Sequence, residues 1–255
     1  MSGAQFVLVH GAWHTSWHWK FLASNLTDSG YTVSTVDLPS VSPDVDKVLR
    51  EGALRADVEV VQAALERAAI TSDKVIPVFH SYGGMPGGEA AAELSDHAKA
   101  KMHCLVYMCA FLVPAGKALL TDTNGAMAPF SRADRSKDHV ASVPDPISIF
   151  YHDIASTVAE EAAQHVSLSS MSAFTQEIRH SPWEQYRCAY IFTEYDRALP
   201  LTRQESFFAH ANEACRTNWT TFTLAGGHSP FLSRPEECAD IPRQLAMEWM
   251  SCSIL

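Results

Sequence analysis

Short apolar runs and longer stretches of helical period alternate along most of this chain. β-rich runs stand at Gln5 to His10, Thr32 to Asp37, Val75 to Phe79, Cys104 to Met108, Ala189 to Thr193 and Thr220 to Leu224. Helical patterns occupy Trp17 to Asp28, Ala53 to Ala69, Met85 to Ala98, Arg203 to Cys215 and Pro235 to Met250, and Gly30 is a stop signal after the first. Strands separated by helices predict an α/β fold, here a mostly parallel six-stranded sheet with helices on both faces.

The rhythm breaks between Val113 and Arg187. That stretch opens on Pro114-Ala115-Gly116, carries a polar loop near Ser131 to Asp138 and then turns helical, with Thr157 and Glu160 spaced as a capping box. We expect one domain over residues 1–255, in which residues 113–187 form a small helical lid. The lid would cover the C-terminal edge of the sheet, where open α/β sheets hold ligands.

Composition narrows the function classes. A chain of 255 residues, 47% hydrophobic and 19% charged, supplies one large core. Its net charge of −10 argues against non-specific nucleic-acid binding, which needs a basic face. No apolar run reaches the roughly 18 residues of a membrane span. Met1-Ser2-Gly3-Ala4-Gln5 lacks the basic start of a secretory signal, so a cytoplasmic location is expected and the sequons at Asn25 and Asn218 carry no weight. The cysteines (Cys104, Cys109, Cys188, Cys215, Cys238 and Cys252) form no Cys-x-x-Cys pair and read as free thiols.

The stretch His80-Ser81-Tyr82-Gly83-Gly84 directly follows the run Val75 to Phe79. A strand ending on a serine flanked by glycines reads as a nucleophile elbow, a tight turn that pushes the hydroxyl into a pocket. Phe79 departs from the Gly-x-Ser-x-Gly pattern, because a side chain two residues before the serine crowds the turn. A local shift would accommodate it, with Gly83 and Gly84 available to yield. Serine is a weak nucleophile without a base and an orienting acid. Candidates follow later strands: Glu194 or Asp196 after Ala189 to Thr193, and His228 after Thr220 to Leu224. Residues at the ends of parallel strands meet at one edge, so Ser81, an acid and His228 can converge there. An oxyanion would be held by the backbone N–H groups of Tyr82 and of Ala12, the latter in the loop His10-Gly11-Ala12-Trp13-His14.

The segments Val9 to His14, His80 to Gly84, Asp196 to Pro200 and Gly227-His228-Ser229 together resemble the α/β-hydrolase superfamily. Within it they are similar to the compact branch of plant methylesterases and hydroxynitrile lyases, with related bacterial and fungal esterases. The resemblance implies the chain order Ser81, Asp196, His228, and its Asp-x-x-Leu-Pro spacing selects Asp196 over Glu194. Hydroxynitrile lyases of this type carry threonine and lysine where this chain has Gly11 and Ser229, so the esterase side of the branch is implied. Fungal members often carry a larger residue at the position of Phe79.

The expected protein is a serine hydrolase that cleaves a carboxylic ester, thioester or lactone of a hydrophobic small molecule through an acyl-enzyme, with no cofactor and no metal. Trp13, His14, Phe111 and Phe231 are its substrate-contacting candidates, while Phe130, Met171 and Phe174 read equally as pocket or core. His10, His14 and His18 recur every four residues, but they leave a strand rather than share a helix face, so the metal reading is set aside. His80 reads as structural, Asp37 as a turn residue, and His152, Asp153 and His165 as surface or capping residues. Two alternatives stay open: a lyase or cyclase of specialised metabolism using the same triad as general acid and base, and a non-catalytic small-molecule receptor. Self-association into a homodimer is also left open.

Overall fold

The alternation of the sequence becomes ten strands and ten α-helices in the computed structural model, which describes residues 3–121, 127–134, 137–214 and 219–247. The strands are β1 (Ala4–Val9), β2 (Thr32–Val36), β3 (Val41–Ser42), β4 (Lys74–His80), β5 (Leu105–Met108), β6 (Arg132–Asp134), β7 (Lys137–Ser142), β8 (Leu168–Ser170), β9 (Cys188–Thr193) and β10 (Trp219–Leu224). The helices are α1 (Lys20–Asp28), α2 (Ala53–Thr71), α3 (Gly84–Ala92), α4 (Asp96–Lys101), α5 (Pro146–Phe150), α6 (Ser156–Gln164), α7 (Ser172–Thr175), α8 (Leu201–Ala214), α9 (Pro230–Ser233) and α10 (Pro235–Met247). Cys215, Asn218, Cys252 and the predicted helix beyond Met247 lie outside the described residues.

Six strands pair in parallel in the order β10-β9-β5-β4-β1-β2. Phe6, Val7, Leu8 and Val9 are all wholly buried, so successive side chains of β1 find cover on both faces of the sheet. α1 packs with α10 on one face, and α2 with α3 and α4 on the other. Because β2 and β4 flank β1 on opposite sides, the chain reverses its direction of winding there. The crevice between the β1 and β4 loops is the topological switch point, the usual ligand site of such sheets.

Two predicted helices differ in detail. The pattern Met85 to Ala98 divides into α3 and α4, because the Ser95 hydroxyl caps a new helix by accepting the Ala98 N–H. Thr157 does not cap α6: that helix starts at Ser156 with Ala155 as its cap residue and without a side-chain cap bond.

Residues 113–187 are not purely helical. They carry α5, α6 and α7, but also β6, β7 and β8, which join β3 in an antiparallel sheet of order β3-β8-β7-β6. The helical expectation followed Thr157 to Glu160 and missed β6 and β8, three residues each and too short to show a period, and β7, which begins in the stretch read as a polar loop. Since β3 belongs to the loop after β2, the insertion is tied into the main domain. It also caps α2, whose Ala53 and Leu54 N–H groups donate to Ser172 Oγ and Gln176 Oε1.

Candidate active site

Ser81 leaves β4 with φ +52°, in the left-handed region. A non-glycine residue there costs on the order of 1 kcal/mol and needs surroundings that enforce it. They are present on three sides. A Cβ on Gly83 would stand 2.6 Å from the His10 carbonyl oxygen, one on Gly84 2.7 Å from that of Phe111, and one on Gly11 2.7 Å from Ser81 Cβ. The Phe111 N–H donates to the Ser81 carbonyl at 3.1 Å.

Gly83 and Gly84 are therefore committed to backbone contacts and do not yield to Phe79, contrary to the expectation from sequence. The residue that makes room is Gly87, one turn into α3. A Cβ at Gly87 would overlap the Phe79 ring, 2.7 Å from its Cγ. Phe79 is fully buried and meets Tyr107 edge-on with ring centroids 5.4 Å apart. The missing elbow glycine is matched by a glycine in the facing helix.

The loops after β9 and β10 bring Asp196 and His228 to Ser81. His228 Nδ1 lies 2.7 Å from Asp196 Oδ2, and Nε2 lies 3.1 Å from Ser81 Oγ. A carboxylate only accepts, so the ring proton resides on Nδ1 and the Nε2 lone pair faces the serine hydroxyl. The other Asp196 oxygen accepts the Ala198 and Leu199 N–H groups at 2.8 and 2.7 Å, while Thr193 Oγ1 donates to Oδ2 at 3.1 Å. Glu194 stays exposed at the end of β9 and makes no contact with His228.

A layer of imidazoles lies behind this line. His80 Nε2 donates to the His228 carbonyl at 2.9 Å, which holds the strand-end backbone of the base against the elbow. His14 Nδ1 donates to the Ala12 carbonyl at 2.9 Å, and His10 spans the Gly11 carbonyl and the Leu38 N–H. Burial pushes His10 below the ordinary histidine range, His14 and His80 well below it, and His18 down to about 3. These rings pack as spacers between the loops.

A cleft of about 490 Å³ opens over Ser81 and His228. Ala12 and Tyr82 reach it beside the serine, and Trp13 and Phe111 are in its wall. His14 and Phe231 are not: His14 packs behind Ala12, and Phe231 lies against Trp19 and His80 at 4.5 and 4.9 Å. The remaining wall is apolar, with Phe130, Phe150 and Phe174 gathered around Trp13 at 5.7–6.0 Å and Leu119, Leu120 and Met127 beyond them. Met171 borders a different groove.

Several residues outside the sequence motifs hold the site. Gln204 on α8 is wholly buried and donates to Thr193 O and Leu199 O at 3.1 and 2.7 Å, clamping the turn that carries Asp196. Asp153, read from sequence as a surface or capping residue, accepts the Gly227 N–H at 2.6 Å, directly before His228. Asp37 accepts Ser16 N–H and Oγ as a turn residue would. Gln204 carried one usable signal, a polar residue on the buried face of a helical pattern. Asp153 carried none, because its partner is 74 residues away.

A model described as the alpha/beta hydrolase family matches residues 6–241. Alpha/beta hydrolase nvfD of Aspergillus novofumigatus is 25% identical over 248 residues, covering 95% of this chain and 96% of the relative. Methylesterase 4 of Arabidopsis thaliana is 32% identical over 108 residues, 42% of this chain and 40% of the relative. Among solved structures, polyneuridine aldehyde esterase matches with a TM-score of 0.75 at 19% identity, covering 95% of this chain and 99% of that one. No helix among the described residues is long and apolar enough to cross a membrane.

Proposed function

This chain belongs to the alpha/beta hydrolase family, and on that premise we propose that it is a serine hydrolase cleaving a carboxylic ester, thioester or lactone of a hydrophobic small molecule. The observation that carries the reading is the hydrogen-bonded line from Ser81 Oγ through His228 to Asp196 at the floor of an apolar cleft.

His228 Nε2 takes the Ser81 proton as Oγ attacks the substrate carbonyl. Asp196 keeps the ring in the Nδ1–H tautomer and offsets the imidazolium charge that forms. The tetrahedral oxyanion is received by the Ala12 and Tyr82 N–H groups. Tyr82 suits this role because it opens the first turn after β4, where N–H groups have no intrahelical partner. His228 then protonates the leaving group, and water, activated by the same imidazole, releases the acyl group from Ser81. The aromatic wall around Trp13 favours an uncharged apolar substrate portion, since a buried charge there would find no counter-charge in the lining.

Treatment with a phenylmethylsulfonyl or fluorophosphonate probe, followed by peptide mass spectrometry, tests the reading. We expect adduct on Ser81, and loss of both adduct and p-nitrophenyl ester turnover in Ser81→Ala. Turnover that survives Ser81→Ala would overturn the mechanism. Labelled Ser81 without ester cleavage would move the reading to a lyase or cyclase, and ligand-induced thermal stabilisation without any turnover would move it to a receptor.

A further inference from the structure

Asp57, in the second turn of α2, is wholly buried. Among the described residues no cation pairs with it. Its carboxylate instead accepts the Tyr82 hydroxyl at 2.7 Å through Oδ2 and the Ser40 N–H at 2.8 Å through Oδ1. Burying a carboxylate on two neutral donors is costly, so an apolar residue would serve a purely structural position better.

Both bonds lead to the same place. Tyr82 follows Ser81 and lines the cleft, and its ring is held edge-on to Phe174 at 5.5 Å, so the bond to Asp57 fixes a residue at the cleft wall beside the serine. Ser40 leads to the other side of the pocket. Its carbonyl accepts the Ser170 N–H at 2.8 Å, and the neighbouring Ser169 Oγ accepts the Trp13 N–H at 2.8 Å, adjacent to Ala12. Trp13 has φ +63°, a strained conformation that needs such a hold.

We propose that Asp57 is a positioning residue for the oxyanion pocket, setting Tyr82 directly and the Ala12–Trp13 loop through Ser40 and β8. This rests on the serine-hydrolase reading above. One buried carboxylate thus ties together two N–H donors that come from different strands of the sheet.

The test compares Ser81→Ala, Tyr82→Phe and Asp57→Asn on a p-nitrophenyl ester, with inhibition by an aryl trifluoromethyl ketone as a measure of tetrahedral-adduct binding. Tyr82→Phe keeps the ring and its packing and removes only the hydroxyl. A displaced oxyanion donor is expected to lower kcat about ten- to hundredfold while KM stays within about twofold, and to weaken the ketone by a similar factor. A purely structural bond would change thermal stability and leave both quantities in place. Folded variants with kcat and ketone affinity within about twofold of the parent would overturn the proposal. Should Asp57→Asn fail to fold, Tyr82→Phe decides alone. Turnover remaining in Ser81→Ala would sink the serine-hydrolase reading itself, a result distinct from any outcome at Asp57.

Discussion

The two sides of the active site are built differently. On the side of Asp196 and His228, after β9 and β10, Asp196 is held by its own turn and by Gln204 of α8, and the insertion adds one bond, from the Gly227 N–H to Asp153. The side proposed to hold the oxyanion, after β1 and β4, depends on distant pieces. Trp13 N–H goes to Ser169, Trp13 Nε1–H to the Ala141 carbonyl, and the Trp13 carbonyl accepts from Ser167 N–H, all three partners being in residues 113–187. The Asp196 turn is thus held locally and the His228 loop takes one bond from the insertion, whereas the Trp13 loop takes three.

The largest effect we expect is on the local side. Asp196→Asn preserves shape and most backbone bonds but presents an amide to His228 Nδ1, which favours the wrong tautomer. By analogy with other triads, kcat falls on the order of 10⁴-fold with little change in stability. Steady-state kinetics beside a thermal melt checks this, and a loss under tenfold would mean that Asp196 is not the orienting acid.

Acid should act first on the other side, because His10, His14, His18 and His80 all pack around the β1 and β4 loops. Burial depresses each of them, so the unfolded chain binds protons near pH 6.5 that the folded chain refuses. Stability is therefore level above about pH 6.5 and falls as pH drops, for His18 until about pH 3. Each such group contributes a slope of up to about 1.4 kcal/mol per pH unit. Asp57 has the opposite sign: burial raises it to about 6 from 3.8, so between those values its protonation partly offsets the loss. Hydrogen exchange at pH 5 should show amides of residues 10–19 losing protection before those of residues 193–204. Equal loss on both sides would mean that the buried imidazoles do not make the β1 and β4 loops the acid-sensitive part of the site.

Legibility from sequence follows the same division. The six parallel strands and the Ser81, Asp196 and His228 loops were readable because each stands next to a short apolar run, a signal contained within a few residues. The strands of the insertion were not readable, since β6 and β8 span three residues each and gain their identity only by pairing, β6 with β7 and β8 with β7 and β3. Phe79 looked like damage because its complement, Gly87, is in the next helix and means nothing by itself. That pairing is testable. Gly87→Ala should destabilise by about 2 kcal/mol through overpacking against the Phe79 ring, and Phe79→Ala should relieve most of that penalty in the double variant. Additive losses would show that the two positions are not coupled.

The smallest effect expected is the one that bears most directly on the insertion. Ser169→Ala removes the acceptor of the Trp13 N–H from a residue that is nearly fully buried, and leaves β8 paired with β3 and β7 through the backbone. If the insertion only covers the cleft, this change should alter KM or stability and spare the chemical step. If it holds the Ala12–Trp13 loop in its left-handed geometry, freeing that N–H lets the loop relax, and one oxyanion donor drifts from its aim. The second case predicts a fall in kcat of about tenfold, smaller than the loss of a donor because the N–H is displaced rather than removed. KM should stay within about twofold, and the reactivity of Ser81 toward a fluorophosphonate should fall in parallel, since that adduct also places an oxygen in the pocket. A drop in KM-governed binding with unchanged kcat would return residues 113–187 to the role of a cover and leave the Ala12–Trp13 loop positioned without the Ser169 bond.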